Sequence, residues 1–120
     1  MGYIRHEAII VVFWDFKGAL KTFNDFFDDI DIMNAQPNDD KIAVIVRPTQ
    51  TTNGYYVCGI LPDGSKEGWT QSDACEHQRE RLAALAHGQK ENGADFVYLV
   101  VADEGGPARI LDSNDDKEEA

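Results

Sequence analysis

The chain has 120 residues, 42% of them hydrophobic, with 22 acidic against 11 basic side chains and a formal net charge of −11. This is the length of one domain with enough apolar content for a core. So acidic a balance argues against direct nucleic-acid binding, which needs Lys and Arg clustered against phosphates. The longest apolar run, residues 8–14, falls far short of the about 20 residues that cross a bilayer, so no membrane span is expected. No basic segment followed by an apolar stretch opens the chain, so no secretory signal is expected either. Cys58 and Cys75 lack the Cys-x-x-Cys spacing and fit a cytoplasmic chain that keeps its thiols reduced.

Residues 8–14 are continuously apolar and rich in β-branched types, the pattern of a strand covered on both faces or central in a sheet. Asp15 is a candidate N-cap, and Phe16, Ala19, Leu20, Phe23, Phe26, Phe27 and Ile30 then mark one face of an amphipathic helix. Asp25, Asp28, Asp29 and Asp31 sit near the C-terminal half of that helix, where its dipole prefers cations. This broken local rule suggests another use for the acidic face. Residues 36–40 read as a loop, and residues 42–46 as a second strand that Pro48 ends or marks as a sheet edge. Asn53-Gly54 suits a hairpin turn leading into a third strand over 55–61, stopped by Pro62-Asp63-Gly64.

Ser72 or Asp73, the latter with Glu76 three residues on, opens a second helix with a modest stripe of Cys75, Leu82, Leu85 and Ala86. Gly88 closes it. Residues 96–102 form a fourth strand, and Gly105-Gly106-Pro107 allows a short fifth over 108–111. The charged stretch 112–120 is expected to be a disordered tail beyond a single domain over 1–111. The order β-α-β-β-α-β matches an α+β ferredoxin-like sandwich with an optional C-terminal strand. In that plan strands one and three are central, two and four are edges, and both helices cover one face.

Chemistry has few anchors. His6, in Arg5-His6-Glu7, is a candidate proton carrier or phosphate contact, or simply part of a solvated strand end. The stretch Asp63-Gly64-Ser65-Lys66-Glu67-Gly68-Trp69 is the most informative. Backbone amides there, with Ser65 and Lys66, suit an anion, and Trp69 suits stacking on a base or plugging a pocket. The plain alternative is a surface loop whose Trp69 covers one edge of the core. The P-loop spacing is absent. His77 and His87 lie ten apart with no second ligand pair, so no metal is expected, and His87 reads as a dipole partner of the helix C-terminus. There is no Gly-x-Ser-x-Gly and no paired His-x-Thr/Ser motif, and neither cysteine has a histidine at a family spacing.

The opening Gly2-Tyr3-Ile4-Arg5-His6-x-Ala8-Ile9-Ile10-Val11 and the stretch from Asp63 to Trp69 resemble a group of small acidic proteins of phages, prophages and their bacterial hosts. The two motifs cover about a seventh of the chain. The resemblance implies an accessory role, such as host takeover or blocking a defence system, and it carries over no catalytic residue or cofactor.

The leading expectation is therefore a non-enzymatic binding protein that inhibits or sequesters a bacterial protein with a basic surface, through Asp25, Asp28 and Asp29. The alternative is a domain binding a small anionic, nucleotide-like ligand through Arg5, His6, Ser65, Lys66 and Trp69. An enzyme acting on phosphate esters through His6 ranks third. Domains of this plan often dimerise through sheets or edges, so a homodimer is open on fold analogy. The sequence does not fix whether the Arg5-His6 and Ser65-Trp69 segments meet in space.

Overall fold

The computed structural model describes residues 5–34, 43–65, 69–103 and 106–114. The elements are β1 (Arg5–Phe13), α1 (Ala19–Asn34), β2 (Val44–Gln50), β3 (Tyr56–Leu61), α2 (Thr70–Gly88), β4 (Asp95–Asp103) and β5 (Arg109–Ser113), with a single 3-10 turn before β4. The fold is α+β: one five-stranded sheet in the order β2-β3-β1-β4-β5, with every neighbouring pair antiparallel. No described helix is long and apolar enough to cross a membrane.

The side chains of a strand alternate between faces, and β1 shows the consequence clearly. Ile9, Val11 and Phe13 are fully buried, whereas Ile10 and Val12 are each 40% exposed. The buried set meets Phe23, Phe27 and Ile30 of α1 and Leu82 and Ala86 of α2 in one core, so both helices pack on the same face. Phe13 anchors that core, stacked on Phe23 at 4.5 Å and on Tyr56 at 5.6 Å between ring centroids. β1 and β3 run so close at Gly59 that a Cβ there would strike the Ile9 carbonyl oxygen, which leaves room for glycine alone.

The expectation of a first strand covered on both faces is met on one face only. β1 is central, but on its outer side Ile10 and Val12 stay part-exposed, while the small Ala8, opposite Leu99, is buried. The fourth strand is likewise not an edge. β5 pairs along it, from Val97 opposite Ser113 to Val100 opposite Arg109.

β5 runs past residue 111. Asp112 and Ser113 belong to β5, and Asn114 is 7% exposed. The Asn114 side chain accepts from the Phe96 amide at 3.2 Å and donates to the Ala94 carbonyl, closing the sheet edge with backbone-like bonds. Residues 115–120, the rest of the expected tail, lie outside the described residues.

Other local expectations shift by a turn. α1 starts at Ala19, not Phe16. Asp15 still serves it by accepting from the Leu20 amide at 3.1 Å, while Phe16 stays outside, 39% exposed and stacked on Trp14. β2 runs through Pro48 as an edge strand, with a register shift between Val46 and Thr49 that accommodates the missing N–H. At the far end of α1, the Asn34 side chain bonds both the amide and the carbonyl of Ala43, clamping helix to strand. α2 starts at Thr70 with no side-chain cap, three residues ahead of the expected capping box at Asp73.

Candidate functional site

The antiparallel pairing of β1 with β3 decides one open question. Ile9 lies opposite Ile60, so the start of β1 and the segment after β3 share one end of the sheet. Arg5 and His6 therefore stand at the same end as Asp63 and Ser65, and α2 begins nearby, just after Trp69. Lys66 lies outside the described residues, and Trp69 is 51% exposed.

Ser65 is not presented to a ligand. It is 7% exposed, its hydroxyl donates to the Asp63 carboxylate, and its amide donates to the same oxygen at 3.2 Å. The other Asp63 oxygen receives Arg79 of α2 at 2.8 Å, and Arg79 also donates to the Leu61 carbonyl at 3.2 Å. Burial pushes the Asp63 carboxyl up, but the bonds from Ser65 and Arg79 outweigh it and hold it below its ordinary value of 3.8. The Asp-Gly-Ser stretch is thus a buried latch that ties the end of β3 to α2.

A second buried cluster adjoins it. Glu7, 4% exposed, accepts from Arg5 Nε at 2.8 Å and from the Tyr98 hydroxyl at 2.7 Å. Burial, then the bond to Glu7, pushes the Tyr98 phenol well above the ordinary range. His6 is half-buried beside a register shift in β1, where the strand bends to bring Arg5 over Glu7.

The Arg5–Tyr98 end opens into a groove of about 460 Å³ between α2 and β5. Its origin is architectural. The two helices pack on the core face of the sheet and the fifth strand overhangs them, so among the described residues the flank of α2 faces β5 across the groove. Glu76, Glu80 and His87 stand along that flank at helical spacings of four and seven. Ala83 and Ala84 between them keep the wall low, Tyr98 forms the floor, and Leu111 and Asp112 of β5 form the far side. His87 Nε2 lies 3.3 Å from Asp112 Oδ2 and closes one end.

The groove's lining carries three carboxylates against one guanidinium and one imidazole, and that guanidinium, Arg5, is already paired to the buried Glu7. The field inside favours a cation. No Ser, Thr, Cys or Lys lines it among the described residues. Nor do three His, Cys, Asp or Glu side chains converge there as a metal centre requires.

The acidic face of α1 is partly spent within the chain. Lys21 pairs with Asp25 at 2.8 Å, and Arg47 of β2 reaches Asp28 at 2.5 Å and also Asp31. Arg47 is the cation that the helix C-terminus lacks in its own sequence, supplied from the neighbouring strand. Asp29 is exposed and takes part in none of these pairs. Neither family models, curated proteins nor solved structures give a match to this chain.

Both cysteines are buried free thiols. Burial alone pushes Cys58 up to about 12, and burial followed by the nearby Asp63 does the same for Cys75. Iodoacetamide at about pH 8 is expected to label the native protein on the order of a hundredfold or more slower than a free thiol, because each unit of pKa cuts the thiolate fraction tenfold. Mass spectrometry before and after urea denaturation checks this, with both sites labelling only once the chain unfolds.

The sequence missed the groove because its residues follow no motif. Glu76 looked like half of a capping box, His87 like a dipole partner, and Asp112 like the first residue of a tail. The available signal was the spacing of Glu76, Glu80 and His87 on one helix face, together with the optional fifth strand.

Proposed function

We propose that this chain is a non-enzymatic binding domain that engages a basic segment of a bacterial protein, inhibiting or sequestering it, through the groove between α2 and β5. The observation that carries this reading is the groove's excess of carboxylates, with its one guanidinium already neutralised by Glu7. A Lys or Arg side chain entering it gains charge-assisted bonds to Glu76, Glu80 or Asp112. The resemblance of the two sequence motifs to phage and prophage proteins favours a bacterial target. The strand order, with the two helices on one face, supports reading the fold as ferredoxin-like, extended by β5 beside β4.

The anionic-ligand alternative has weaker support. Ser65 is committed to Asp63, Arg5 to Glu7, and the adjoining groove repels anions. The α1 face is a lesser candidate for the partner, since Arg47 and Lys21 already occupy most of its carboxylates.

An arginine-rich peptide serves as the probe, with affinity followed by fluorescence anisotropy at two salt concentrations. The Glu76→Lys/Glu80→Lys variant is expected to bind about tenfold more weakly or worse, about 1.4 kcal/mol, and to lose salt dependence. The triple change Asp25→Lys, Asp28→Lys, Asp29→Lys is expected to stay within about twofold of wild type once bulk charge is screened by salt. The reverse pattern moves the site to α1.

A further inference from the structure

The sheet face turned away from the helices is largely apolar, with the polar Thr49 of β2 and Ser113 of β5 at its edges. It carries Ile10 and Val12 of β1, Val57 of β3, Val97 and Leu99 of β4, and Ile110 of β5, which share one face by strand register. Val44 and Val46 extend it on β2, and Val101 on β4. Ile110 is 66% exposed, Val101 49% and Val44 39%. Asp95, opposite Val12 at one end of the sheet, puts a charge at its margin. A soluble monomer seldom leaves a contiguous apolar patch this wide in water.

We propose that this face is the interface of a homodimer, in which two sheets pack face to face about a two-fold axis. Three observations select a second copy as the occupant. First, the unbroken apolar runs of β1 and β4 are those of strands buried on both sides, yet Ile10, Val12 and Val101 stay 40–49% exposed. Second, the face matches itself: strand register gathers Ile10, Val12, Val97, Leu99 and Ile110 on it, so two copies bury like against like. Third, the charge is disposed for it. A chain of net charge −11 repels its own copy wherever its carboxylates meet. The acidic residues of α1 and α2 all lie on the helix side, so a sheet-to-sheet pair puts them on opposite outer surfaces.

The area is adequate. Five strands about 4.8 Å apart and about six residues long give a footprint of roughly 500 Å², and side-chain relief raises the accessible area toward the about 800 Å² per partner of a standard interface. So apolar a face offers little steering toward a basic partner, whereas two identical apolar faces are complementary by symmetry.

Light scattering coupled to size exclusion is the test, with wild-type protein loaded across roughly 1–100 µM, which spans weak and tight association. The expected mass is twice the 13.4 kDa of the chain, with a melting temperature that rises with concentration. Ile110→Lys lies on the outermost strand and empties no core position, so it keeps its circular dichroism and runs as a monomer. Ile10→Lys, at the centre of the face, does the same if it folds. A wild type that stays monomeric throughout overturns the proposal, including one that floats with neutral phosphatidylcholine vesicles, the outcome if the face meets lipid. A dimer undiminished by Ile110→Lys at every concentration overturns it as well.

Discussion

Replacing Asp63 by alanine is expected to cost about 3–5 kcal/mol, because it leaves the Arg79 guanidinium buried without its counter-charge. The side chains of the pair are 4% and 9% exposed, and Asp63 is the acceptor on which Arg79 and Ser65 converge. A domain of ordinary stability has about 5–15 kcal/mol in all, so this loss brings the chain near the edge of folding. Urea denaturation reads it as a lower midpoint at unchanged slope. The double variant Asp63→Ala/Arg79→Met removes both charges and is expected to recover much of the loss. A single variant costing under about 1 kcal/mol would show that the pair is solvated.

The same pair sets the acid limit. The Asp63 carboxyl is held below its ordinary 3.8, so the folded state binds its proton less readily than the unfolded chain does. Its stabilisation is complete above the ordinary carboxylate range and is lost as pH falls through the depressed folded value. Wild type is therefore expected to lose stability more steeply in acid than Asp63→Asn does.

Phe23→Ala is the second large effect, at about 3–5 kcal/mol. Phe23 is fully buried and stacks on Phe13 where α1 crosses the centre of the sheet, and the cavity left is walled by aromatic rings that cannot collapse inward. Phe16→Ala is the internal control, expected to cost under about 1 kcal/mol because Phe16 stands outside the helix and is 39% exposed. Thermal melts of the two variants separate them directly. Equal losses would place Phe16 in the core.

Periodicity alone could not have told those two phenylalanines apart. It marked Phe16 and Phe23 as members of one helical face, and only the turn at Lys17 and Gly18, both at positive φ, puts the first outside the helix. The same limit applies to the sheet. The apolar run from Ala8 identified a central strand correctly, since burial on the helix side requires Ile9, Val11 and Phe13. Whether its other face is covered depends on what lies across it, which pattern does not encode.

The candidate site was legible in pieces. Arg5, His6, Asp63 and Ser65 were picked out by local composition, and the sheet register brings them to one end. Their roles differ from expectation because burial turned Ser65 inward to Asp63 and Arg5 onto Glu7. The groove itself arises from a strand that overhangs two helices, so Glu76, Glu80, His87 and Asp112 acquire a common site only in three dimensions. Arg47 is a parallel case: the cation answering the acidic end of α1 comes from the next strand.

The most direct test of the binding account is a titration of the ¹⁵N-labelled wild-type chain followed by amide correlation spectra, first with the arginine-rich peptide and then with a nucleoside triphosphate. Peptide-induced shifts are expected along α2 from Glu76 to His87 and at Leu111 and Asp112 of β5, with the triphosphate leaving those amides unmoved. Peptide shifts confined to the α1 residues Asp25, Asp28 and Asp29, or triphosphate shifts centred on Ser65 and Trp69, would contradict it.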